Sequence, residues 1–380
     1  MKILTIIGAR PQFIKAASLS RYLKSLSDIK EIILHTGQHY DNNMSNDFFS
    51  ELDIPITNYN LQIGSDTPAR QTGKMMMGIE DIVLKEWPDF ILIYGDTNST
   101  IAGALVGVKL HLPVVHVEAG LRSYDREMPE EINRIVSDAI STILFCPTQI
   151  AVNNLKREGI IKGVYNVGDI MFETYLYYKD KAQKTSTILN KLNLKLKEFI
   201  LCTIHRASNT DNTENLKNIF IGLTNSKETI ILPLHPRAKV KINQNKSLKK
   251  YIGQNIRIID PIGYFDMVCL EANAKKIVTD SGGVQKEAYF NKIPCITLRE
   301  NTEWIETIEE GANKLVGVNP KKIKESINNF HPKEQNYSKS LYGDGRTSEK
   351  IIKILNQCHY EKRSTEVISK LNVMLHIEKQ

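Results

Sequence analysis

The sequence lacks the features of secreted, membrane-spanning and zinc-binding proteins. Its five cysteines are scattered along 380 residues and never spaced as Cys-x-x-Cys, which predicts reduced core thiols in a cytoplasmic protein and no metal site. No run approaches the ~18 to 20 consecutive apolar residues that a membrane span needs. The short apolar start at Met1 turns at Gly8 without a small-residue cleavage site, so we expect a first strand there and not a signal peptide.

A strong charge of one sign and a dinucleotide fingerprint are lacking as well. The net charge of +7 is modest for this length, and dispersed lysines without interleaved aromatic residues predict solvated faces and no nucleic-acid partner. The first turn, from Gly8 to Lys15, does not have the G-x-G-x-x-G spacing that lets a backbone approach a dinucleotide pyrophosphate. We therefore expect no nicotinamide cofactor and no metal, and predict no cofactor at all.

Length and periodicity predict two α/β domains. A chain of 380 residues with 41% apolar content exceeds what one hydrophobic core usually supports. Short apolar runs alternate with helical periodicity, which is typical of a doubly wound parallel sheet. The predicted strands lie at 2–7, 31–35, 89–94, 113–117, 142–146 and 163–167 and, after a lysine-rich crossover over 169–198, at 198–204, 228–234, 255–259, 276–279 and 293–298.

Three acids form the centre of the predicted site. Asp96 and Glu118 each follow an apolar strand-like run, and Glu130 lies in the first turn of a predicted helix. Parallel sheets bind ligands beyond the carboxyl ends of their strands, so we expect these side chains to face one crevice as an acid/base cluster. The alternatives are that Asp96 only caps a helix and that Glu130 and Glu131 only interact with a helix dipole.

Cations and hydrogen-bonding side chains occupy two N-terminal turns. Arg10 and Lys15 follow the first strand, beside a helix N-terminus. This arrangement suits an anionic ligand such as a phosphate, although lone basic residues in such loops are often merely solvated. Gln38 and His39 lie in a polar loop over 35–47, which is either a substrate-facing loop or a surface turn.

The second half of the chain offers a histidine and a phosphate-type turn. His205 follows a predicted strand and can act on a ligand there, although a single histidine is more often structural. Ser281, Gly282 and Gly283 join a strand to a helix, where free N–H groups and a hydroxyl can hold a phosphate. Glu287, one turn further along, can accept hydrogen bonds from a ribose. An ordinary turn is the alternative, but a phosphate cradle together with the acids predicts a nucleotide-sugar enzyme.

Seven motif blocks, in order from residue 1 to about 357, carry a family resemblance. The blocks are Gly8-x-Arg10-Pro11-x-x-x-Lys15, Gly95-Asp96-Thr97, His116-Val117-Glu118-Ala119-Gly120-Leu121-Arg122, Pro129-Glu130-Glu131-x-Asn133-Arg134, Thr203-x-His205-Arg206, Asp280-Ser281-Gly282-Gly283-x-Gln285-x-Glu287 and Tyr342-Gly343-Asp344-Gly345. In these blocks the chain resembles the non-hydrolysing UDP-N-acetylglucosamine 2-epimerases. The resemblance implies a GT-B glycosyltransferase-like fold of two Rossmann-like domains facing a cleft, usually as a homodimer. It also implies a cytoplasmic enzyme that interconverts UDP-GlcNAc and UDP-ManNAc for surface polysaccharides.

The resemblance further implies a role for each candidate residue. Asp96, Glu118 and Glu130 would be the acid/base carboxylates, and His205 would lie at the leaving diphosphate. The residues expected to bind the UDP-sugar are Arg10, Lys15, Arg134, Ser281, Gly282, Gly283 and Glu287. Gln38 and His39 would belong to a possible activator or substrate loop. The implied reaction eliminates UDP to leave 2-acetamidoglucal and then adds UDP again.

The same resemblance sets the expected domain boundaries. Residues 1–170 would form the N-terminal domain with the carboxylates, and 171–345 the C-terminal UDP-binding domain. The last helix, over 346–357, would return to pack on the first domain. Residues 358–380 extend past it as a basic tail without an assigned role.

Two departures from the family pattern leave the substrate open. Trp304 stands where many relatives have an arginine, and Asp41 replaces an amide of the activator loop. Close relatives with such variants act on UDP-2,3-diacetamido sugars or their uronic acids, which gives the first alternative. A GT-B glycosyltransferase is a second, since fold alone does not determine chemistry. A non-catalytic UDP-sugar sensor is a third, against which the intact acids and His205 argue.

Overall fold

The structure, a computed structural model, describes residues 1–38, 57–234, 239, 242, 246–337 and 340–361. The chain divides into two compact units. The first starts at Met1, runs to Thr174 and includes the segment that begins at Leu341, whereas the second is Tyr175–Ser340. Within these described ranges, no helix is long and apolar enough to cross a membrane.

The first unit is built on one parallel sheet with helices between its strands. The strands are β1 Lys2–Ile7, β2 Lys30–His35, β3 Tyr59–Asn60, β4 Phe90–Tyr94, β5 Val114–Val117, β6 Ile143–Cys146 and β7 Val164–Asn166. The helices are Arg10–Lys24, Pro68–Glu86, Asn98–Lys109, Pro129–Ile140, Gln149–Arg157 and Ile170–Thr185, the last of which runs on into the second unit. Residues 347–361 form a further helix.

The strand order of this sheet determines where a ligand can bind. The order is β3-β2-β1-β4-β5-β6-β7, and neighbouring strands pair in parallel. The direction of winding therefore reverses between β1 and β4, the position at which doubly wound sheets bind ligands beyond their carboxyl ends. Gly8, Gly95 and Glu118 directly follow β1, β4 and β5. The sequence motifs at these three positions thus meet at one edge of the sheet.

Apolar residues on both faces of the strands account for the burial of this sheet. Leu4 and Ile6 of β1 pack in one buried cluster with residues of the helix Pro68–Glu86. The helical members Met75, Ile79 and Val83 are fully buried and recur every four residues, so they lie on one helix face. Near-continuous apolar strands covered by amphipathic helices are what a parallel sheet requires.

The second unit repeats this plan with a smaller sheet. Its strands are β8 Ile200–Thr203, β9 Ile230–Pro233, β10 Ile256–Ile259, β11 Lys276–Thr279, β12 Cys295–Thr297 and β13 Asn313–Leu315. Its helices are Ile188–Lys191, Ala207–Thr210, Thr213–Ser226, Lys246–Lys249, Tyr264–Asn273, Gly282–Phe290, Ile305–Glu309 and Pro320–Asn329, and Glu334–Tyr337 is a 3₁₀ helix. The order β10-β9-β8-β11-β12-β13 puts the reversal between β8 and β11.

Alternation along β8 shows how this second sheet is covered. Ile200 and Cys202 belong to one buried cluster, whereas Phe199 and Leu201 belong to another. Successive side chains of a strand point to opposite faces, so the two clusters cover the two faces of the sheet.

The predicted α/β class is confirmed, since both sheets are parallel and alternate with helices. Every predicted strand is present, with ends that differ by at most two residues. The prediction missed β3 and β13, which have two and three residues and carry no apolar run. The last helix was expected over 346–357 and spans 347–361, in the first unit. It therefore includes the start of the segment expected to be a tail.

Candidate active site

The turn after β1 is shaped by a glycine and a buried glutamine. A Cβ atom on Gly8 would lie 2.1 Å from the Oγ of Ser99 and from the Oγ1 of Thr36, so only glycine fits. Oε1 of Gln12 accepts the backbone N–H groups of Gly8 (2.7 Å) and Ala9 (3.1 Å). Its Nε2 donates to the carbonyl oxygen of Tyr94 at the end of β4 (2.9 Å). Gln12 thus ties the first turn to the neighbouring strand end.

Glu118, the first residue after β5, forms a buried ion pair with Lys15. The Nζ of Lys15 donates to Oε2 of Glu118, and only 10% and 6% of the two side chains are exposed. Glu118 has a φ of +70°, which is uncommon for a residue other than glycine and marks a backbone that the surrounding structure must hold. A Cβ atom on Gly95 would lie 2.7 Å from that Nζ and 3.3 Å from Oε2. The turn after β4 therefore lies directly against the ion pair.

Asp96 is held by an arginine from the helix Pro129–Ile140. Nη1 of Arg134 lies 2.6 Å from Oδ2 of Asp96, whose side chain is 29% exposed. The Nε and Nη2 of the same guanidinium donate to Oε2 of the buried Glu131. Nδ2 of Asn133 donates to the backbone oxygen of Asp96 (2.9 Å). Asp96 therefore has a fixed position beyond the carboxyl end of β4, and its side chain remains partly exposed.

Glu131 is hydrogen-bonded to the loop that follows β5. Its carboxylate accepts the backbone N–H groups of Ser123 and Tyr124, both at 2.9 Å. Burial by itself would raise the pKa of Glu131, but these bonds and the charge of Arg134 hold it below its usual value. Glu130, its neighbour in the first helical turn, has an exposed side chain. Of the two acids, Glu130 is accessible to a ligand and Glu131 is part of the framework.

A buried histidine lies behind these residues. Nδ1 of His116 lies 2.7 Å from Oδ1 of Asp138, and its Nε2 lies 2.7 Å from the carbonyl oxygen of Gly95. Oδ2 of Asp138 accepts from the N–H of Gly120 (3.0 Å) and from Nη1 of Arg122 (2.7 Å). Burial by itself would raise the pKa of Asp138, but the bonds from His116 and Arg122 lower it.

The other N-terminal candidates lie around the same edge. Arg10 begins the helix Arg10–Lys24 and is partly exposed. Oε1 of Gln38 accepts from the backbone N–H (3.1 Å) and the hydroxyl (2.8 Å) of Ser99, in the first turn of the helix Asn98–Lys109. His39 lies outside the described residues, as does Asp41. Gln38 of the predicted polar loop therefore contacts the first turn of the helix that follows β4.

In the second unit, Asp280 after β11 orients the turn after β8. Its carboxylate accepts the backbone N–H groups of His205 and Arg206 (both 3.1 Å) and a bond from Nδ2 of Asn209 (3.0 Å). Nδ1 of the His205 ring lies 3.0 Å from Oδ1 of Asp280. Because Asp280 occupies Nδ1, the Nε2 of His205 is directed away from it. The histidine thus presents one ring nitrogen from the switch point of the second sheet.

The turn after β11 has the form of an anion site. Ser281 caps the helix Gly282–Phe290, and its Oγ accepts from the N–H of Val284 (3.5 Å). A Cβ atom on Gly282 would lie 2.4 Å from Oε1 of Glu303 and 3.2 Å from Nε1 of Trp304. Helix N-termini of this kind bind phosphates through their unpaired N–H groups. The neighbouring side chains therefore leave no room for a side chain at residue 282.

Trp304 and Glu287 complete the surroundings of this turn. Trp304 is buried, and the Nζ of Lys286 lies 4.0 Å from the centroid of its ring. This cation–π contact belongs to the interior, because Lys286 is buried as well. Glu287 is also buried, within the same helix. Nη1 of Arg299 lies 2.9 Å from Oε2 of Glu303, so the carboxylate beside Gly282 has its own cation.

Several residues of this framework were not singled out from the sequence as site residues. They are Gln12, His116, Glu131, Asp138 and Asp280, whose side chains form hydrogen bonds with strand ends and turns. Their sequence signal is a polar residue inside or next to an apolar element, since a buried polar group needs a partner. His116 within β5 is the clearest case.

Comparisons with known proteins show a family. The model of the UDP-N-acetylglucosamine 2-epimerase family matches residues 21–356. A UDP-N-acetylglucosamine 2-epimerase homolog of Methanococcus maripaludis is 54% identical over 93% of this chain and 99% of its own length. UDP-2,3-diacetamido-2,3-dideoxy-D-glucuronate 2-epimerase of Pseudomonas aeruginosa is 46% identical, again over 93% of this chain and 99% of its own.

Solved structures agree. Methanocaldococcus jannaschii UDP-GlcNAc 2-epimerase, in complex with UDP-GlcNAc and UDP, matches with a TM-score of 0.87 at 45% identity, over 94% of this chain and 100% of that one. Phytolacca americana UGT2, a GT-B glycosyltransferase, matches with a TM-score of 0.62 at 10% identity over 94% and 99% of the two chains. That second likeness concerns the fold alone, and it confirms the predicted glycosyltransferase-like architecture.

The fold and the site first define a class, that of α/β enzymes with two doubly wound sheets and charged groups at each switch point. Within it, this chain belongs to the UDP-N-acetylglucosamine 2-epimerase family. The resemblance inferred from the seven motif blocks is thereby confirmed. Membership favours an isomerase over the glycosyltransferase and sensor alternatives.

Proposed function

We propose that the protein interconverts UDP-GlcNAc and UDP-ManNAc by inverting the configuration at C2 of the sugar. The observation that carries this proposal is the pairing of functions at the two switch points. In the first unit, the carboxylates of Asp96 and Glu118 lie at strand ends, and each forms an ion pair with a cation. In the second unit, Ser281 opens a helix N-terminus suited to a phosphate, and His205 lies at the neighbouring strand end. The proposed reaction needs both kinds of group, carboxylates for proton transfer and a holder for the diphosphate.

The chemistry of the substrate favours elimination over direct deprotonation. The C2 proton of an acetamido sugar is not acidic, so a carbanion at C2 is too costly. If the bond between C1 and the diphosphate oxygen breaks while a carboxylate takes the C2 proton, the electron pair of the C2–H bond forms a C1=C2 double bond. UDP and 2-acetamidoglucal are the products of this step. Return of UDP to C1, with a proton delivered to the other face of C2, gives the epimer.

The residues divide this work. A base on one face of the sugar and an acid on the other are needed, and Asp96, Glu118 and Glu130 supply these carboxyl groups. Arg10 and Lys15 supply positive charge for the diphosphate, and His205 acts at the leaving oxygen. Ser281, Gly282 and Gly283 hold the phosphates, and Glu287 accepts from the ribose. Arg134 acts through Asp96, because its guanidinium is bonded to that carboxylate and to Glu131.

Proton NMR of the purified protein with UDP-GlcNAc tests this function directly. We expect UDP-ManNAc to form, with deuterium at C2 when the solvent is D₂O. A bridging ¹⁸O label at the anomeric position should scramble into the diphosphate, since UDP leaves and returns. Epimerisation with neither deuterium uptake nor scrambling would overturn the elimination route. If no UDP-ManNAc forms, the proposed substrate is wrong.

A 2-epimerase of a UDP-2,3-diacetamido sugar or its uronic acid is the second candidate. It is favoured by the 46% identity to the Pseudomonas aeruginosa enzyme, whose name states such a substrate. Both reactions share the acetamido group at C2 and differ at C3 and C6. Parallel NMR assays with UDP-GlcNAc and with UDP-2,3-diacetamido-2,3-dideoxy-glucuronate distinguish them by the ratio of kcat/KM values.

We also infer a cytoplasmic homodimer. Three large apolar side chains on or next to the helix Pro68–Glu86 are exposed: Met77 by 63%, Leu84 by 54% and Trp87 by 61%. Met77 and Leu84 are seven residues apart and share a helix face, and exposed apolar side chains that share a face are typical of an interface. Light scattering should show a dimer that Leu84→Glu weakens. A monomeric wild-type protein would contradict the inference.

A further inference from the structure

His116 is a fully buried histidine within β5 whose two ring nitrogens each face an acceptor. Oδ1 of Asp138 lies 2.7 Å from Nδ1, and the carbonyl oxygen of Gly95 lies 2.7 Å from Nε2. A carbonyl oxygen carries no proton, so Nε2 must donate to Gly95. Asp138 also accepts from Gly120 and Arg122, as an ionised carboxylate does, so Nδ1 donates as well.

The groups around this ring each have a partner of their own. His116 donates to Asp138, Asp138 also accepts from Arg122, and Arg122 forms a second ion pair with Glu158 (2.6 Å). On the other side of Gly95 lies the pair of Lys15 and Glu118. A buried network in which every member has a partner is rigid, and rigidity is what a group that positions other residues requires.

The network reaches both strand ends that carry the candidate carboxylates. Through Nε2, His116 holds the carbonyl of Gly95, and the next residue is Asp96. Through its two oxygens, Asp138 holds residues on both sides of Glu118, namely His116 two residues before it and Gly120 two residues after it. Glu118 itself has a left-handed backbone, which the surrounding structure has to maintain.

We propose that the buried pair of His116 and Asp138 positions Asp96 and Glu118 for the reaction, with the bond from His116 to the Gly95 carbonyl as the decisive contact. Both side chains are buried, so we assign them as positioning residues. The inference rests on the proposed function, because it assigns the geometry of that reaction's carboxylates. A displacement of about 1 Å at such groups costs about 10²-fold in rate.

Two substitutions of His116 by an amide side chain distinguish a positioning role from a role in packing alone. His116→Gln places an amide N–H where Nε2 lies and keeps the bond to Gly95. His116→Asn places one where Nδ1 lies, so it keeps the bond to Asp138 and loses the bond to Gly95. Each variant loses one of the two ring contacts and part of the ring volume, so a purely structural role predicts losses of similar size in the two variants. The readouts are kcat and KM for UDP-GlcNAc, measured by NMR beside the wild type, and the melting temperature.

We expect His116→Asn to lower kcat by about 10²-fold with KM little changed, and His116→Gln to stay within about tenfold of the wild type. Equal losses in the two variants, or wild-type kcat in His116→Asn, would overturn the inference. If His116→Asn does not fold, Asp138→Glu displaces the ring while keeping the charge, and wild-type kcat in that variant would overturn it equally. If the wild-type protein does not turn over UDP-GlcNAc, the proposed function itself is wrong. This outcome is distinct from failure of the inference, because it depends on the wild type and not on the variants.

Discussion

Nδ1 of His205 lies 3.0 Å from Oδ1 of Asp280, a carboxylate that is fully buried, whereas 46% of the histidine side chain is exposed. The same carboxylate accepts the backbone N–H of His205. The ring is therefore held at its backbone and at one nitrogen, while the other nitrogen is available to a ligand. This relationship makes Asp280 the residue that orients His205.

Replacing Asp280 by asparagine tests that role. Asp280→Asn weakens the bonds to the ring and to the backbone of His205, so we expect kcat to fall by about 10 to 100-fold. The free energy of unfolding should fall by about 1 to 3 kcal/mol, because buried donors lose a charged acceptor. Kinetics and urea denaturation measure the two effects. Asp260→Asn is the matched control, since Asp260 is 78% exposed; an equal loss in that variant would contradict the assignment.

Asp280 should also shape stability at low pH. Burial by itself would raise its pKa, but the bonds from His205 and Asn209 lower it below the usual value. A depressed pKa in the folded state contributes stability that is present above the unfolded pKa of about 4 and lost as pH falls through the folded pKa. We expect the wild-type protein to lose stability more steeply than Asp280→Asn below about pH 4. If the free energies of unfolding of the wild type and of Asp280→Asn change equally from pH 7 to pH 3, this expectation is wrong.

Gly282 should be required for UDP binding. A Cβ atom there would come within 2.4 Å of Glu303 and 3.2 Å of Trp304, so any side chain must displace the residues beside the helix N-terminus. We expect Gly282→Val to weaken UDP binding by at least about 10-fold, about 1.4 kcal/mol, in calorimetry. The control is Gly73→Ala, because nothing lies within 4 Å of its Cβ position. Wild-type affinity in Gly282→Val would refute the phosphate cradle.

Lys276 gives a prediction at alkaline pH. Its buried Nζ donates to the carbonyl oxygen of Ile327 (2.5 Å), near the end of the helix Pro320–Asn329. Burial, with the nearby charge of Lys275, lowers the pKa of Lys276 to about 8. The unfolded chain then binds more protons than the folded one between about pH 8 and 10.5, so stability from this group rises with pH across that window.

The measurement is the free energy of unfolding at pH 7.5 and pH 10. We expect Lys276→Met to remove a rise on the order of 1 to 3 kcal/mol that the wild type retains. Lys314→Met, at an exposed position of β13, should leave the rise in place. If the free energy of unfolding changes between the two pH values equally in the wild type and in Lys276→Met, then Lys276 has the same pKa in the folded and the unfolded state.

The ends of β1, β4, β5 and β11 could be predicted from the sequence, because each is marked by an apolar run that stops at a glycine or an acid. Glu118 is the clearest example: an acid directly after β5 had to be paired, and the structure pairs it with Lys15. The partner could not be foreseen from spacing, since 103 residues separate the two. Their meeting depends on the order of strands in the sheet, which apolar alternation does not specify.

The positioning residues were missed for a related reason. Asp138 lies within a helix and His116 within a strand, 22 residues apart. His116 begins a motif block, but that block does not indicate Asp138 as its partner. The predicted cluster of Asp96, Glu118 and Glu130 stays a prediction. The structure shows the first two held by different cations and the third exposed, an arrangement that a list of acidic residues does not reveal.

The ion pair of Lys15 and Glu118 offers the sharpest separation of stability from catalysis. Lys15→Met leaves the carboxylate buried without its cation, so we expect a loss of about 3 to 5 kcal/mol in the free energy of unfolding. Glu118→Gln should lose about 10² to 10⁴-fold in kcat, as expected for an acid/base group. In the double variant no charge is stranded, so stability should recover partly while kcat stays low. Lys74→Met is the control, because its pair with Asp66 is 57% exposed at the lysine, and an exposed ion pair contributes little to stability. Recovery of kcat together with stability in the double variant would show that Glu118 serves the fold and not the reaction.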